Sequence, residues 1–278
     1  MPNYSVVTTF NSDGYNQYGK KFLQTFLTNW PSEINLNLYL ENCNINENSS
    51  NLKVYDLHSE SKELVKFKNL WKTVPKANGD ISKDPIRSRR KDANKKFKWD
   101  AVRFSHKVYS IFACAKKNTS DVLIWMDADM ICHSPICREQ IEQLIPFDKD
   151  ICYLGRDGKY PECGLYSLNL NSKVVLDFLT EFQRVYDDAE NGIFKLDEWH
   201  DSYVFEYVRK KFKLDLLSWA ENLPDLRPTQ YNSKGEGHPL INSRWGAFLD
   251  HLKGDRKEIG KSRPLDLKIK RTESYWST

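Results

Sequence analysis

Between Val122 and Ile131 five apolar residues, Val-Leu-Ile-Trp-Met, run straight into Asp-Ala-Asp. The run is too short for an ordinary helix, and Val122, Ile124 and Trp125 favour a pleated strand. A continuous apolar run of this length predicts a strand buried on both faces, as in a parallel sheet with helical cover. Asp127 and Asp129 then fall at its C-terminal end, with side chains on the same side of an extended chain. Ligands of open α/β sheets bind at that edge. Two carboxylates converging there repel unless a cation sits between them, and hard oxygen ligands suit Mg²⁺ or Mn²⁺. Capping a helix or shaping a turn is the competing explanation of a bare Asp-x-Asp.

Around this run, strands alternate with helices. Strands are expected at Tyr4 to Thr9, Ile34 to Leu40, Leu52 to Leu57, Ile151 to Leu154, from Gly164 onward, and at Leu214 to Trp219. Helical spacing of apolar residues predicts helices from Tyr18 to Asn29, Ser59 to Leu70, Asp100 to Lys117, Ser134 to Leu144, Lys173 to Tyr186 (capped by Ser172) and Asp197 to Lys211. Phe10 to Tyr15 reads as a polar loop, and residues 72–98 as a basic loop. From residue 222 the chain is irregular, with Pro224, Pro228, Gly235, Gly237 and Pro239. There is no internal repeat and no linker that divides the chain. The expectation is one α/β domain over residues 1–278, with a mainly parallel sheet flanked by helices.

Charge and cysteine usage narrow the class further. Residues 83–98 hold eight basic residues against two acidic ones, and residues 253–271 hold eight against three, while the whole chain is only +4. Positive charge is thus gathered into two segments, which points to anionic partners. Cys43, Cys114, Cys132, Cys137, Cys152 and Cys163 form no Cys-x-x-Cys, so neither a zinc site nor a disulfide framework is expected. No window approaches the ~18 apolar residues that span a bilayer. The first residues lack the basic and apolar regions of a leader, so the expected location is cytoplasmic.

The second basic segment contains His251-Leu-Lys-Gly-Asp-Arg-Lys257. An imidazole can offer nitrogen to a divalent ion, Gly254 allows an anion close to the backbone, and Lys257 is a point charge suited to phosphate. Taken with Asp127-Ala128-Asp129, this His-x-x-Gly-x-x-Lys resembles the GT-A glycosyltransferases, and among them the glycogenin and lipopolysaccharide-galactosyltransferase-like family. Thr8-Thr9-Phe10-Asn11 stands where that family holds the nucleoside. Ala101-Val-Arg103-Phe matches the helix whose arginine reaches the donor. Cys163-Gly164-Leu-Tyr-Ser-Leu-Asn169 is similar to the family's Asn-x-Gly strand. The resemblance covers most of residues 5–257.

It implies a single-domain GT-A (Rossmann-like) fold and transfer of a sugar from a nucleotide-sugar, with UDP as the expected carrier, to an acceptor hydroxyl with retention. By the same resemblance Asp127, Asp129 and His251 bind Mn²⁺ or Mg²⁺, and Gly254 and Lys257 hold the diphosphate. Thr8, Thr9, Phe10, Asn11, Arg103, Lys107, Ala128, Cys163 and Gly164 are the further donor-site candidates. The family's Asn/Ser before the glycine is replaced by Glu162-Cys163, its Asp-Gln-x-x-x-Asn by Trp199-His-Asp201-Ser-Tyr-Val, and its Pro-Trp after the lysine by Glu258-Ile259. Asp201 is the first candidate to face the sugar ring, with Glu162 and His200 next. Trp199 and Trp245 are candidates to stack on a sugar.

The Arg87-Ser-Arg89-Arg90-Lys91 run suits an anionic acceptor, a lipopolysaccharide or other glycan or a nucleic acid; a hydroxylated DNA base would have to be flipped out or single-stranded. Two other readings compete. One is a non-catalytic nucleic-acid- or sugar-binding module on the same fold. The other is a haloacid dehalogenase-like phosphatase, which wants Thr or Val where Ile131 stands.

Overall fold

The computed structural model describes residues 1–117, 119–156, 160–220 and 238–277. The expected irregular stretch from residue 222, with Pro224, Pro228, Gly235 and Gly237, lies outside the described residues until residue 238, as does the middle of the expected loop at 155–161. Seven strands form the main sheet: β1 (Tyr4–Asn11), β2 (Asn35–Glu41), β3 (Leu52–Asp56), β4 (Val122–Met126), β6 (Ile151–Leu154), β7 (Glu162–Asn169) and β8 (Leu216–Ser218). Their order is β3-β2-β1-β4-β7-β6-β8. β1 pairs in parallel with β2 and β4, β2 with β3, and β6 with β8; only β7 runs antiparallel to its neighbours β4 and β6. This is an α/β domain with a mainly parallel sheet.

The chain leaves β1 to build β2 and β3 on one side, then returns to lay β4 on the other. The C-terminal ends of β1 and β4 therefore flank the point where the winding reverses, the place where open α/β sheets bind their ligands. β4 is buried along its whole length, as its apolar run requires. Leu123 and Trp125 face one core layer, with Val108, Ile111 and Phe112 of α3 (Ala101–Lys117) and Phe178 and Phe182 of α5 (Lys173–Asp187). Val122, Ile124 and Met126 face the other, with Phe22 and Phe26 of α1 (Lys20–Asn29) and Ile141 and Leu144 of α4 (Arg138–Leu144). The helix at Ser59 to Leu70 is split: a turn at Leu57–Glu60 precedes α2 (Lys62–Trp71), whose N-cap Ser61 accepts the Leu64 N–H.

Several boundaries differ from the sequence reading. Residues 10–15 are not a loop: helical turns begin at Ser12, because the Asn11 side chain accepts the Gly14 N–H at 2.8 Å, and a π-turn over Tyr15–Gly19 leads into α1. Ser134 does not open α4; Cys137 caps it, with the Gln140 side chain returning to the Cys137 N–H. Ser172 precedes α5 without a side-chain cap. The last long helix, α6 (Asp201–Arg209), starts four residues later than its periodicity suggests, capped by His200.

The element that sequence periodicity cannot reveal is a second, two-stranded sheet. β5 (Met130–Cys132), directly after the acidic pair, runs antiparallel to β9 (Leu249–His251), with Met130 opposite His251. Leu252 N–H donates to the Asp129 carbonyl at 2.9 Å, and His133 N–H to that of Phe248 at 2.9 Å. Asp250 fixes β9 from behind, accepting from Ser262 N (2.7 Å), Ser262 Oγ (2.6 Å) and Tyr275 OH (2.8 Å). Asp250 is fully buried, so Asp250→Ala orphans these donors; it should lower unfolding free energy by about 2–3 kcal/mol in urea titrations. A variant within ~0.5 kcal/mol of wild type would show that β9 is held by other contacts.

Candidate active site

Asp127 leaves β4 with its N–H bonded to the Gly164 carbonyl at 2.8 Å, and Asp129 enters β5. The β5–β9 pairing sets His251 beside them: Nε2 lies 3.1 Å from Asp129 Oδ1 and 3.7 Å from Asp127 Oδ2. The three can each offer a ligand atom within 4.8 Å of the others. Past β9, Gly254 turns the chain with φ +67°, a left-handed conformation that glycine adopts without strain, and no heavy atom lies within 4 Å of where a Cβ would stand. Lys257, in the turn α7 (Arg256–Ile259), returns to place Nζ 2.9 Å from Asp129 Oδ2 and 4.9 Å from the Tyr18 ring centre. Thus Asp127, Asp129, His251 and Lys257, up to 130 positions apart in the chain, meet just past the C-terminal end of β4.

On the inner side Lys107 is buried, although a helix surface would suit a lysine better. Its ammonium lies 2.9 Å from Asp127 Oδ1 and 2.7 Å from Asp201 Oδ2, donates to the Cys163 carbonyl, and sits 4.8 Å above Trp125. Trp125 Nε1–H also donates to Asp127 Oδ1, at 2.8 Å. Burial works to lower the Lys107 pKa, but Asp127 and Asp201 overcome it and hold the group well above the ordinary lysine range. The acidic pair is split. Burial raises Asp127 despite Lys107, and the charge of Asp129 adds to the rise; Asp129, against the same burial, is held well below the carboxylate range by His251 and Lys257. For His251, burial favours the neutral ring, but Asp129 outweighs it and raises the pKa.

Glu162 opens β7 and is buried, with Lys253 Nζ 2.6 Å from Oε2. Four carboxylates (Asp127, Asp129, Glu162, Asp201) thereby face three lysines (Lys107, Lys253, Lys257) and one imidazole. Two oxygens and one nitrogen, close together and of mixed charge, form a donor set that fits Mn²⁺ or Mg²⁺. A divalent ion that displaces the proton of His251 would leave this balanced cluster with an excess positive charge, which would favour an anion beside it.

The other candidates are placed less uniformly. Thr8 and Phe10 point into the core, Thr8 with its buried hydroxyl unpartnered and Phe10 stacked on Tyr15; neither is open to a nucleoside. Thr9 Oγ1 donates to the Tyr39 carbonyl, leaving exposed Asn11 as the accessible member of that segment. Ala128 and Cys163 are buried, and Cys163 takes part through its carbonyl. Arg103 is exposed one turn before Lys107, and its charge weakly opposes the rise of the Tyr18 pKa. His200 does not join the acidic cluster: it caps α6, pairs with Glu198 at 3.0 Å, and lies among Phe97, Phe104 and Tyr160. Trp199 and Trp245 are both buried, Trp199 beneath Arg87 and against Phe194, Trp245 between Trp30 and Trp219, so neither is a platform for a sugar.

Two corrections concern basic residues. Arg87 pairs with Asp84, donates to the Phe194 and Leu196 carbonyls and covers Trp199, while Arg90 and Lys98 converge on Asp92 and Glu198. These three tie the loop at 72–98 to the segment before α6; only Arg89 and Lys91 of the Arg87–Lys91 cations are exposed. Tyr18 is the residue that sequence reasoning missed. Its ring lies 4.9 Å from Lys257 Nζ, and its hydroxyl pKa is pushed up to about 12 by burial and then by Asp129 and Asp127. A lone tyrosine in a polar stretch carries no sequence signal of that kind.

No family model matches this chain, and no curated protein sequence does. Among solved structures it is similar to a glycosyltransferase involved in the glycosylation of the major capsid of PBCV-1, at 13% identity over 93% of this chain and 100% of that one, TM-score 0.43. It is also similar to mouse xyloside xylosyltransferase 1 (13% identity, 75% of this chain and 82% of that one, TM-score 0.39). A third is the glycosyltransferase GlyE of Streptococcus pneumoniae TIGR4, at 8% identity over 78% of this chain, with TM-score 0.41; this chain spans 45% of that one. What each of those proteins transfers is a property of that protein.

Lys107 is the element of the site whose removal is easiest to foresee. Lys107→Met would leave Asp127 and Asp201 facing each other without their shared cation, at a cost of about 3 kcal/mol. Denaturant unfolding should report that loss, and the double variant Lys107→Met/Asp201→Asn should recover part of it. No recovery would mean that the lysine acts through packing alone.

Proposed function

We propose that this protein is a metal-dependent glycosyltransferase that takes its sugar from a nucleoside diphosphate, with UDP as the favoured carrier. The observation that carries the reading is the meeting of Asp127 and Asp129 with His251 and Lys257 at the reversal point of the sheet. A Mn²⁺ or Mg²⁺ held by Asp127, Asp129 and His251 supplies Lewis-acid neutralisation of the charge that develops on the leaving diphosphate. Lys257 and the open backbone at Gly254 add donors for the same charge. Lys257 is bonded to Asp129 in this state, and an arriving phosphate would draw its ammonium away. Tyr18 lies beside that lysine and closes the phosphate side of the site.

Asp201 is the carboxylate assigned to the sugar. Lys107 fixes its Oδ2 and ties it to Asp127, so the group facing the anomeric carbon and the group facing the phosphate move as one unit. In the transfer the bond from the anomeric carbon to the diphosphate oxygen breaks and its electron pair leaves with the phosphate. The acceptor oxygen bonds to that carbon, and its proton passes to the departing phosphate oxygen. A carboxylate at Asp201 stabilises the positive charge on the ring while that exchange occurs. Retention of configuration follows if the acceptor enters on the face that the diphosphate leaves. The acceptor is a hydroxyl of a glycan or of a modified nucleic acid; the exposed Arg89 and Lys91 suit an anionic one.

A thermal-shift panel of nucleotide-sugars with and without Mn²⁺ tests this reading. At a hundred times its Kd a ligand stabilises the native state by about 2.7 kcal/mol. The expected result is a shift with a nucleoside-diphosphate sugar that needs Mn²⁺ and disappears in Asp127→Asn. Shifts indifferent to Mn²⁺, or intact in that variant, would remove the metal from the site. Binding with no release of nucleoside diphosphate in the presence of any acceptor would leave a non-catalytic binding module.

A further inference from the structure

His251 has two ring nitrogens, and only Nε2 faces the acidic pair. Nδ1 is buried and makes no hydrogen bond. Around that side lie two other buried groups, Glu162 and His238, and each of the three can bring a ligand atom within 4.8 Å of the others. Glu162 Oε1 accepts the Gly164 N–H at 3.0 Å, and Oε2 accepts from Lys253 Nζ at 2.6 Å and lies 3.8 Å from His238 Nε2. The His238 and His251 rings meet edge to face, with centres 4.9 Å apart.

A carboxylate and two imidazoles could make a metal site of their own, but the proton on His238 speaks against it. His238 Nδ1 accepts the Leu240 N–H at 3.3 Å, so the hydrogen of the neutral ring sits on Nε2, the atom nearer Glu162. A protonated nitrogen is a donor, not a ligand. The Lys253 ammonium already meets the charge of Glu162 from the other side. The cluster is therefore built to hold an anionic carboxylate in place behind His251.

Gly164 explains how that carboxylate can act. A Cβ at this position would stand 2.6 Å from His251 Cε1, 2.9 Å from His251 Nδ1 and 3.2 Å from Glu162 Oε1. The missing side chain keeps the space between the ring nitrogen and the carboxylate open. When Nε2 is the nitrogen offered to a metal, the ring's proton has to be on Nδ1, and a buried N–H needs an acceptor. We infer that Glu162 is that acceptor: a positioning residue that keeps the proton of His251 on Nδ1 and aims Nε2 at a divalent cation beside Asp127 and Asp129. The inference rests on the metal-binding reading above. It also moves Glu162 from the sugar to the rear of the metal site, in keeping with its burial and its inward-facing partners.

Mn²⁺ titration of the full chain followed by electron paramagnetic resonance tests it without reference to activity. Glu162→Gln should weaken Mn²⁺ binding by about 10–100-fold, the usual consequence of losing an outer carboxylate. Because that variant strands Lys253, the double variant Glu162→Gln/Lys253→Met is measured beside it, together with metal-free melting temperatures. A double variant that melts like wild type yet binds Mn²⁺ at least tenfold more weakly supports the positioning role, as does the same loss in Gly164→Ala. In Mg²⁺-loaded protein, ¹⁵N spectra of the imidazoles should find the proton of His251 on Nδ1. Wild-type affinity in the double variant would overturn the inference while leaving the metal reading intact; a proton found on Nε2 of the Mg²⁺-loaded protein would overturn both, because a protonated Nε2 is no ligand. Zn²⁺ binding at two ions per chain that falls to one in His238→Gln would overturn it in favour of a second metal site. No Mn²⁺ binding by wild type would bring down the metal reading itself, and the inference with it.

Discussion

Three residues of β5 lie against three of β9, and that small ladder is what makes a site out of distant parts of the chain. The main sheet can place Asp127 and Asp129 at the end of β4, but its strands carry no imidazole. That comes from the tail, and the tail reaches the acidic pair because Met130 pairs with His251 and Leu252 bonds to Asp129. A ladder this short is not stable alone. It is held by what surrounds it: Asp250 anchored by Ser262 and Tyr275, the buried ion pair of Arg256 with Asp266, and the Trp245 packing beneath.

Bringing four carboxylates into one partly buried place creates an electrostatic problem that the chain solves with its own cations. Lys107 bonds to both Asp127 and Asp201, Lys253 to Glu162, and Lys257 and His251 to Asp129, and the split of Asp127 from Asp129 follows from which cations each one meets. Under the proposed function the same pairing would prepare the site for a divalent ion and an anion together: a metal would relieve the carboxylates directly, and the lysine that stands in for it would then be free for phosphate. This economy ties stability to function: the interactions that hold the ligand-free cluster are the ones a ligand would rearrange.

Much of this was legible in the sequence, for identifiable reasons. The β4 run could be read as a strand buried on both faces because no residue in it tolerates water, and its alternate residues do serve two separate core layers. The α3 helix was readable from its apolar period, and the family resemblance named Lys107 on it as a donor-site candidate; its place as a buried cation between two acids, twenty and ninety-four positions away, was not readable. The β5–β9 ladder escaped because three-residue strands carry no period. Trp199, Trp245, Arg87 and Arg90 resembled ligand-binding residues by type, yet packing and ion pairing claimed them. Tyr18 entered the site through a π-turn that nothing in the local sequence announces.

The site can work as proposed only if one cation is shared by the end of β4 and the end of β9. Anomalous diffraction from crystals grown with Mn²⁺ and UDP measures this directly. The predicted result is a single strong manganese peak within coordination distance of Asp127, Asp129 and His251 Nε2, with the diphosphate between it and Lys257. A peak elsewhere on the molecule, or UDP bound with no metal between the carboxylates and the imidazole, would contradict it.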